Sequence, residues 1–240
     1  MNARAAAKEK LIFALDVASA DDARGLVIAL RDRVGLFKVG LELFVAEGPR
    51  ILELITGESA AGIFLDLKFH DIPETMRAAR RAAERHRVRF LTVHCDQRDR
   101  LADRKDTDLP RLLGVTVLTS IGAEEVSAAG WYPPDLTVET LAMLRAETAF
   151  RVGCAGVVCS GNEVSEIKRC FGPGFLAVTP GIRPTWAAVA GDDQRRAATP
   201  ALAIAQGADY LVVGRPIRTA PDPAEAADRV IDEIAAAQRG

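Results

Sequence analysis

The chain alternates short apolar runs with longer stretches whose apolar positions recur at helical spacing. Eight such runs stand out, and each is bounded by polar or small residues. Short strands that alternate with helices are typical of a parallel sheet. Eight repeats in 240 residues favour an α/β fold, a single (β/α)8 TIM barrel. The predicted strands are 11–17, 36–40, 63–69, 90–94, 112–118, 156–160, 175–182 and 210–214.

Local signals place several helices between these strands. Ser19 predicts the start of a helix that runs to Leu30, because a serine side chain can accept an N–H of the first turn. A second helix is predicted over 49–55. After the third strand, Asp71 and Glu74 form a D-x-x-E pattern that predicts a capping box. The inward face of that helix would carry Ile72, Met76, Ala79 and Ala83.

No linker divides the chain, so we predict one catalytic barrel domain over residues 11–240, preceded by an N-terminal extension over 1–10. The first ten residues are rich in alanine and charge and contain no apolar stretch typical of a signal peptide. No apolar run is long enough to cross a bilayer. We therefore expect a cytoplasmic protein with no membrane partner.

Composition narrows the function classes only slightly. The net charge of -2 gives no general attraction to nucleic acid, and 49% hydrophobic residues are enough for a large core. Neither a dinucleotide fingerprint nor a P-loop motif occurs. The cysteines form no C-x-x-C pair, so we expect small buried thiols in a reducing compartment at Cys95, Cys154, Cys159 and Cys170.

Charged and polar side chains fall at or just beyond the carboxyl ends of the predicted strands, where barrel enzymes carry their sites. Asp66 and Lys68 are two residues apart on the third strand, so they would point to the same side. An ordinary ion pair at the barrel mouth would also explain them, but buried charges of alternating sign more often mark a site. The whole set is Asp16, Lys38, Asp66, Lys68, Thr119, Ser120 and Arg215.

The loops after strands seven and eight contain Gly181-Ile-Arg183 and Gly214-Arg215. In barrels these loops commonly bind phosphate, because glycine exposes backbone N–H groups and arginine adds a bidentate donor. A surface ion pair is the alternative role for each arginine. We favour phosphate because both arginines lie beside glycine in the expected loops.

A divalent metal is a further alternative, since three aspartates lie near the strand ends. Lys38 and Lys68 would stand among them, however, and would repel a cation while neutralising its ligands. Such a cluster can instead hold one lysine protonated as an acid. We predict no metal and no cofactor. The aspartates are Asp16, Asp66 and Asp71, and two nearby histidines, His70 and His94, are expected to be structural.

The stretch from Asp66 to Thr75, DLKFHDIPET, resembles the D-x-K-x-x-D signature of the orotidine 5′-phosphate decarboxylase family. Further blocks match in order over nearly the whole chain, which makes the resemblance far more specific than one motif. These blocks are 14–16, 37–40, 115–120, 157–160, 178–184, 191–194 and 213–216.

The resemblance implies decarboxylation of orotidine 5′-monophosphate to UMP and CO2, the last step of UMP biosynthesis, without metal or cofactor. Lys68 would donate a proton to C6 of the pyrimidine, and Asp66 would lie beside the scissile carboxylate. Lys38 would hold the ribose hydroxyls and Asp66, and Asp16 would bind the ribose.

The resemblance also implies a homodimer with shared sites, in which Asp71, with Ile72 and Thr75, reaches into the partner's site. Thr119 would contact the substrate, with Ser120 as a near alternative. The group that grips the phosphate would comprise Gln194, Arg215 and the Gly214 N–H, with Arg183 on the same loop.

The sequence departs from the family pattern in three places. Glu74 stands where asparagine is expected, and the capping box would explain it. The segment 95–100 lacks the usual small residues, which predicts a short or irregular fourth outer helix. The loop 183–194, which carries Trp186, is slightly long for the family.

Two other functions compete with the decarboxylase. Related sugar-phosphate decarboxylases and synthases share D-x-K-x-x-D but bind magnesium through an acidic residue on strand two, where this chain has Lys38. A catalytically silent barrel that binds nucleotides is the other alternative. It is disfavoured because every charged role is filled.

Overall fold

The computed structural model describes residues 3–86, 88–95, 101, 110–122, 124–125, 133, 136–187 and 196–239. Eight parallel strands close into one barrel in the order of the sequence, which confirms the predicted fold. Each strand lies within or one residue beyond the predicted apolar run. The strands are β1 (Leu11–Leu15), β2 (Leu36–Val39), β3 (Gly62–Phe69), β4 (Phe90–Val93), β5 (Arg111–Val115), β6 (Gly156–Val158), β7 (Leu176–Thr179) and β8 (Tyr210–Val213).

The barrel interior is filled by apolar side chains rather than by solvent. Phe64 and Phe90, on neighbouring strands, meet edge to face with ring centroids 6.2 Å apart. The side chains of alternate positions pack outward against the helices and form the larger part of the core. The buried interior cluster is Ile12, Ala14, Leu36, Phe64, Phe90, Leu113, Val178 and Val212.

Helices cover the barrel on the outside. The predicted start at Ser19 is confirmed, because its side chain accepts the backbone N–H of Asp22. The helices are α1 (Ala3–Lys10), α2 (Ala20–Leu30), α3 (Leu41–Glu47), α4 (Arg50–Glu58), α5 (Pro73–Glu84), α6 (Val138–Arg151), α7 (Val164–Phe171), α8 (Pro200–Ala205), α9 (Arg215–Arg218) and α10 (Pro223–Ala237), with a 3-10 turn at Gly161–Glu163.

The predicted capping box after β3 is wrong. Ile72 is the N-cap of α5 and its side chain makes no capping hydrogen bond, while Asp71 accepts the N–H of Ile72 through its own carboxylate at 2.7 Å. Glu74 turns instead toward Arg77 and Arg81 on the helix surface. Ile72 does not face inward either, since 67% of its surface is exposed. Pro73 therefore fixes the helix start without help from a capping pair.

Two further findings refine the sequence predictions. The segment assigned to an N-terminal extension forms α1, which packs on α10 through a buried Ala7 and the ion pairs of Arg4 with Asp228 and Asp232. Cys170 is exposed, contrary to expectation, whereas the other three cysteines are buried.

The predicted irregular fourth helix falls on residues outside the described ones. Among the described residues, no helix is both long and apolar enough to span a membrane.

Candidate functional site

The carboxyl ends of the strands open into a cavity of 320 Å³. The parallel strands all end at this face, so residues distant in sequence converge on it. The cavity brings together most of the residues predicted from the sequence. Its polar lining includes Asp16, Lys38, Asp66, Lys68, Thr119, Ser120, Arg183, Gly214 and Arg215.

Four charged side chains form a continuous chain on the β1–β3 side of the cavity. Lys38 Nζ lies 2.9 Å from Asp16 Oδ1 and 3.8 Å from Asp66 Oδ2. Lys68 Nζ lies 3.0 Å from the same Asp66 Oδ2. Each carboxylate therefore faces an ammonium group, and Asp66, which is largely buried, lies between two of them. We call this set, Asp16, Lys38, Asp66 and Lys68, the charged cluster.

The backbone at Lys68 is irregular in a way that the sequence did not indicate. Lys68 has a φ of 50°, and no other described non-glycine residue has a positive φ. Leu65 pairs with Leu91 and Phe69 pairs with Val93, so β3 advances four residues while β4 advances two. The segment between them is a bulge that aims both Asp66 and Lys68 into the cavity.

Thr92, on β4 opposite the bulge, is a functional candidate that the sequence analysis missed. Its hydroxyl accepts the backbone N–H of Lys68 at 2.8 Å and donates to Asp66 Oδ1 at 2.9 Å. The residue has no exposed surface. A threonine inside an apolar strand is usual in sheets, so no local sequence signal marked it.

The β7–β8 side of the cavity is lined by glycines and cations. Gly181 has a φ of 72°, a conformation that favours glycine, and it turns the chain sharply after β7. Arg183 lines the cavity from the loop after β7, and Arg215 lines it from the first position of α9, directly after Gly214. Gln194 lies outside the described residues.

A buried ion pair holds the loops beneath this side together. Arg196 and Glu163 have side chains only 9% and 2% exposed and are in contact. Arg196 also donates to the carbonyl oxygens of Val117 and Leu118, at 2.7 and 3.1 Å. Burial raises the pKa of the Glu163 carboxyl, and the Arg196 charge opposes that shift. The pair thus fixes the segment that leads to Thr119 and Ser120.

Asp71, Ile72 and Thr75 are not part of the cavity lining. All three are exposed at the start of α5. His70 and His94 pack against each other with ring centroids 5.3 Å apart, outside the cavity lining.

The donor set at the charged cluster suits proton transfer better than metal binding. A divalent cation between Asp16 and Asp66 would have to displace Lys38 Nζ, which already lies between them. Lys68 offers an ammonium group at the cavity wall, and Asp66 offers a negative charge beside it. The arrangement can therefore deliver a proton to a bound substrate and place a fixed carboxylate next to the reacting atoms.

Comparisons with known proteins agree on one family. The model described as "Orotidine 5'-phosphate decarboxylase / HUMPS family" matches residues 9–230. A protein of Desulfosudis oleivorans named orotidine 5′-phosphate decarboxylase is 50% identical over 234 residues, which cover 95% of this chain and 94% of that protein. A relative from Trichlorobacter lovleyi with the same name is 44% identical over 239 residues, with 96% and 97% covered.

A solved structure with the same name has the same fold. The orotidine 5′-phosphate decarboxylase of Lactobacillus acidophilus superposes with a TM-score of 0.78 at 32% identity, covering 93% of this chain and 98% of that one.

Proposed function

The chain belongs to the orotidine 5′-phosphate decarboxylase / HUMPS family, and we propose that it decarboxylates orotidine 5′-monophosphate to UMP and CO2 without metal or cofactor. The observation that carries this proposal is the charged cluster at the mouth of the barrel. A lysine on β2 stands between the two aspartates, and a second lysine stands at the cavity wall.

The proposed reaction uses Lys68 as the acid and Asp66 as a fixed negative charge. The bond between C6 and the carboxylate breaks, CO2 leaves, and the electron pair remains on C6. Lys68 Nζ then supplies the proton that completes UMP. Asp66 beside the substrate carboxylate favours loss of that charge as CO2, because repulsion is relieved in the transition state.

Lys38 and Asp16 have supporting roles in this proposal. The hydrogen bond between them holds both side chains at the cavity edge, where ribose hydroxyls can bind. Lys38 also keeps the Asp66 charge balanced before substrate arrives, because its ammonium lies 3.8 Å from Asp66 Oδ2.

The phosphate is assigned to the β7–β8 side. Arg183 and Arg215 supply positive charge, and the glycine N–H groups supply donors close to the cavity wall. Gln194 and the Gly214 N–H are added to these proposed phosphate ligands because of the family resemblance. Thr119, with Ser120 as a near alternative, is proposed to contact the substrate between the two sides of the cavity.

We further propose that the enzyme acts in the cytoplasm as a homodimer with shared sites. Asp71, Ile72 and Thr75 are exposed on the rim rather than within their own cavity, and Ile72 presents an apolar side chain to solvent. A two-fold axis beside this rim would place each Asp71 at the partner's cavity reciprocally.

The decisive experiment follows the ultraviolet absorbance of orotidine 5′-monophosphate with the purified protein, with and without a chelator. Turnover that a chelator leaves unchanged supports the proposal. Activity that is lost with the chelator and restored by magnesium would instead favour a sugar-phosphate-type enzyme. Binding of UMP without any turnover would indicate a silent nucleotide-binding barrel.

A further inference from the structure

A single buried hydroxyl joins the two residues that carry the proposed chemistry. We propose that Thr92 is a positioning residue, which sets the orientation of Asp66 and the left-handed backbone of Lys68 through one hydroxyl group. Thr92 does not line the cavity, so it acts through these two residues and not on the substrate.

One contact of Thr92 supports the backbone of Lys68. A lysine at a φ of 50° lies in the left-handed region, which is unfavourable for residues that carry a Cβ atom. Such a conformation persists only where surrounding contacts hold it. The bulge removes the regular ladder partner of this segment, and the Lys68 N–H donates instead to Thr92 Oγ1 at 2.8 Å.

The other contact of Thr92 orients the Asp66 carboxylate. Thr92 donates its hydroxyl proton to Asp66 Oδ1, which leaves Oδ2 toward Lys38 and Lys68. The two contacts use the hydroxyl once as acceptor and once as donor, so its proton has one consistent direction. Loss of the hydroxyl would release the carboxylate to rotate and would leave the Lys68 N–H without this acceptor.

The test compares Thr92→Val with Thr92→Ser and with a matched control. Valine has the shape of threonine without the hydroxyl, whereas serine keeps the hydroxyl. Thr116 is the control, because it is also fully buried and its hydroxyl donates to the Val158 carbonyl at 2.8 Å, away from the charged cluster. Thr92→Ala is measured as well, in case valine packs poorly at this position.

For orotidine 5′-monophosphate, we expect Thr92→Val and Thr92→Ala to lower kcat at least about tenfold, since small misplacements of reacting groups are costly in rate. KM should change less than about threefold, because the substrate-binding side is untouched. Thr92→Ser should stay within about threefold of the wild-type kcat, and Thr116→Val within about twofold. A full wild-type kcat in Thr92→Val, an equal loss in Thr92→Ser, or an equal loss in Thr116→Val would overturn the proposal.

The kinetic comparison rests on the proposed function, so a second measurement is independent of turnover. Crystal structures of the wild type and of Thr92→Val provide this measurement. In the wild type, Lys68 should have a positive φ. In the variant, Lys68 should leave that conformation or the Asp66 carboxylate should rotate away from Lys68. An unchanged Lys68 and Asp66 in the variant would overturn the positioning role. A wild type that turns over no orotidine 5′-monophosphate would overturn the proposed function alone.

Discussion

The two sides of the cavity differ in the charges that line them. On the β1–β3 side, every acid of the charged cluster lies beside a lysine, and the lysines sit on strands. On the β7–β8 side, the described lining residues include two arginines and no carboxylate. Arg183 lies in the loop after β7, and Arg215 is the first residue of α9. A charge-balanced cluster suits a step in which a proton moves, whereas a cationic surface with exposed glycine N–H groups suits the capture of an anion. The difference indicates a division of labour between chemistry and binding.

The largest expected effect comes from removing the acid on the balanced side. Lys68→Ala should lower kcat for orotidine 5′-monophosphate by about 10²–10⁴-fold or more, because the proton donor is lost and Asp66 keeps only the more distant ammonium of Lys38. Absorbance assays at saturating substrate measure this. Lys8→Ala, an equal truncation in α1, is the control and should keep full activity. A Lys68→Ala enzyme with near wild-type kcat would remove Lys68 from the mechanism.

The buried pair beneath the cationic side should matter for stability. Arg196→Met leaves Glu163 buried without its partner and should lower the free energy of unfolding by about 3–5 kcal/mol. Urea titrations measure this. Arg169→Met removes an exposed pair with Glu166 and should change the unfolding midpoint hardly at all. If the free energy of unfolding fell equally in the two variants, the buried Arg196–Glu163 pair would be no more important for stability than an exposed pair.

Removal of one arginine on the cationic side should affect only the phosphorylated substrate. Arg215→Ala should reduce kcat/KM for orotidine 5′-monophosphate by about 100-fold, as expected for a lost charged hydrogen bond. The reaction of orotidine, which lacks the phosphate, should hardly change. Arg31→Ala, just beyond the end of α2, serves as control. If kcat/KM fell by the same factor for both substrates, Arg215 would not be a phosphate ligand.

The smallest expected signal concerns the rim. Lys68→Ala and Asp71→Ala proteins, each inactive or nearly so, are dissociated, mixed and reassociated. Random reassociation of equal amounts makes half of the dimers mixed. If Asp71 serves the neighbour's cavity, each mixed dimer has one intact site and one site with both substitutions. Random mixing should therefore restore about a quarter of the wild-type sites. No recovery, with mixed dimers shown to form, would place Asp71 in its own subunit's site.

The sequence predicted the barrel and the convergence of charged residues because both depend on local patterns. Alternation of apolar runs fixes the strands, and the strand ends then bring Asp16, Lys38, Asp66 and Arg215 to one face. The short helix Leu41–Glu47 was not predicted, since it directly follows β2 and carries a single buried residue, Leu43.

The residues that orient the site could not be predicted in this way. Thr92 meets Asp66 across 26 positions of sequence, and Arg196 meets Glu163 across 33. Contacts of this kind depend on the register between strands and loops, which no periodicity encodes. The D-x-x-E pattern at Asp71 gave a wrong prediction because the pattern does not show which partners Glu74 contacts. Glu74 forms ion pairs with Arg77 and Arg81 on the helix surface and does not cap the helix end.

Equilibrium binding tests the division of labour most directly, because it involves no chemical step. Calorimetric titrations with UMP and with uridine compare the wild type, Lys68→Ala and Arg215→Ala. We expect Lys68→Ala to keep most of the extra affinity that the phosphate gives UMP over uridine, while Arg215→Ala loses about 100-fold of it. If Lys68→Ala lost this phosphate-dependent affinity as fully as Arg215→Ala, or if Arg215→Ala kept it, the two sides would not divide chemistry and binding between them.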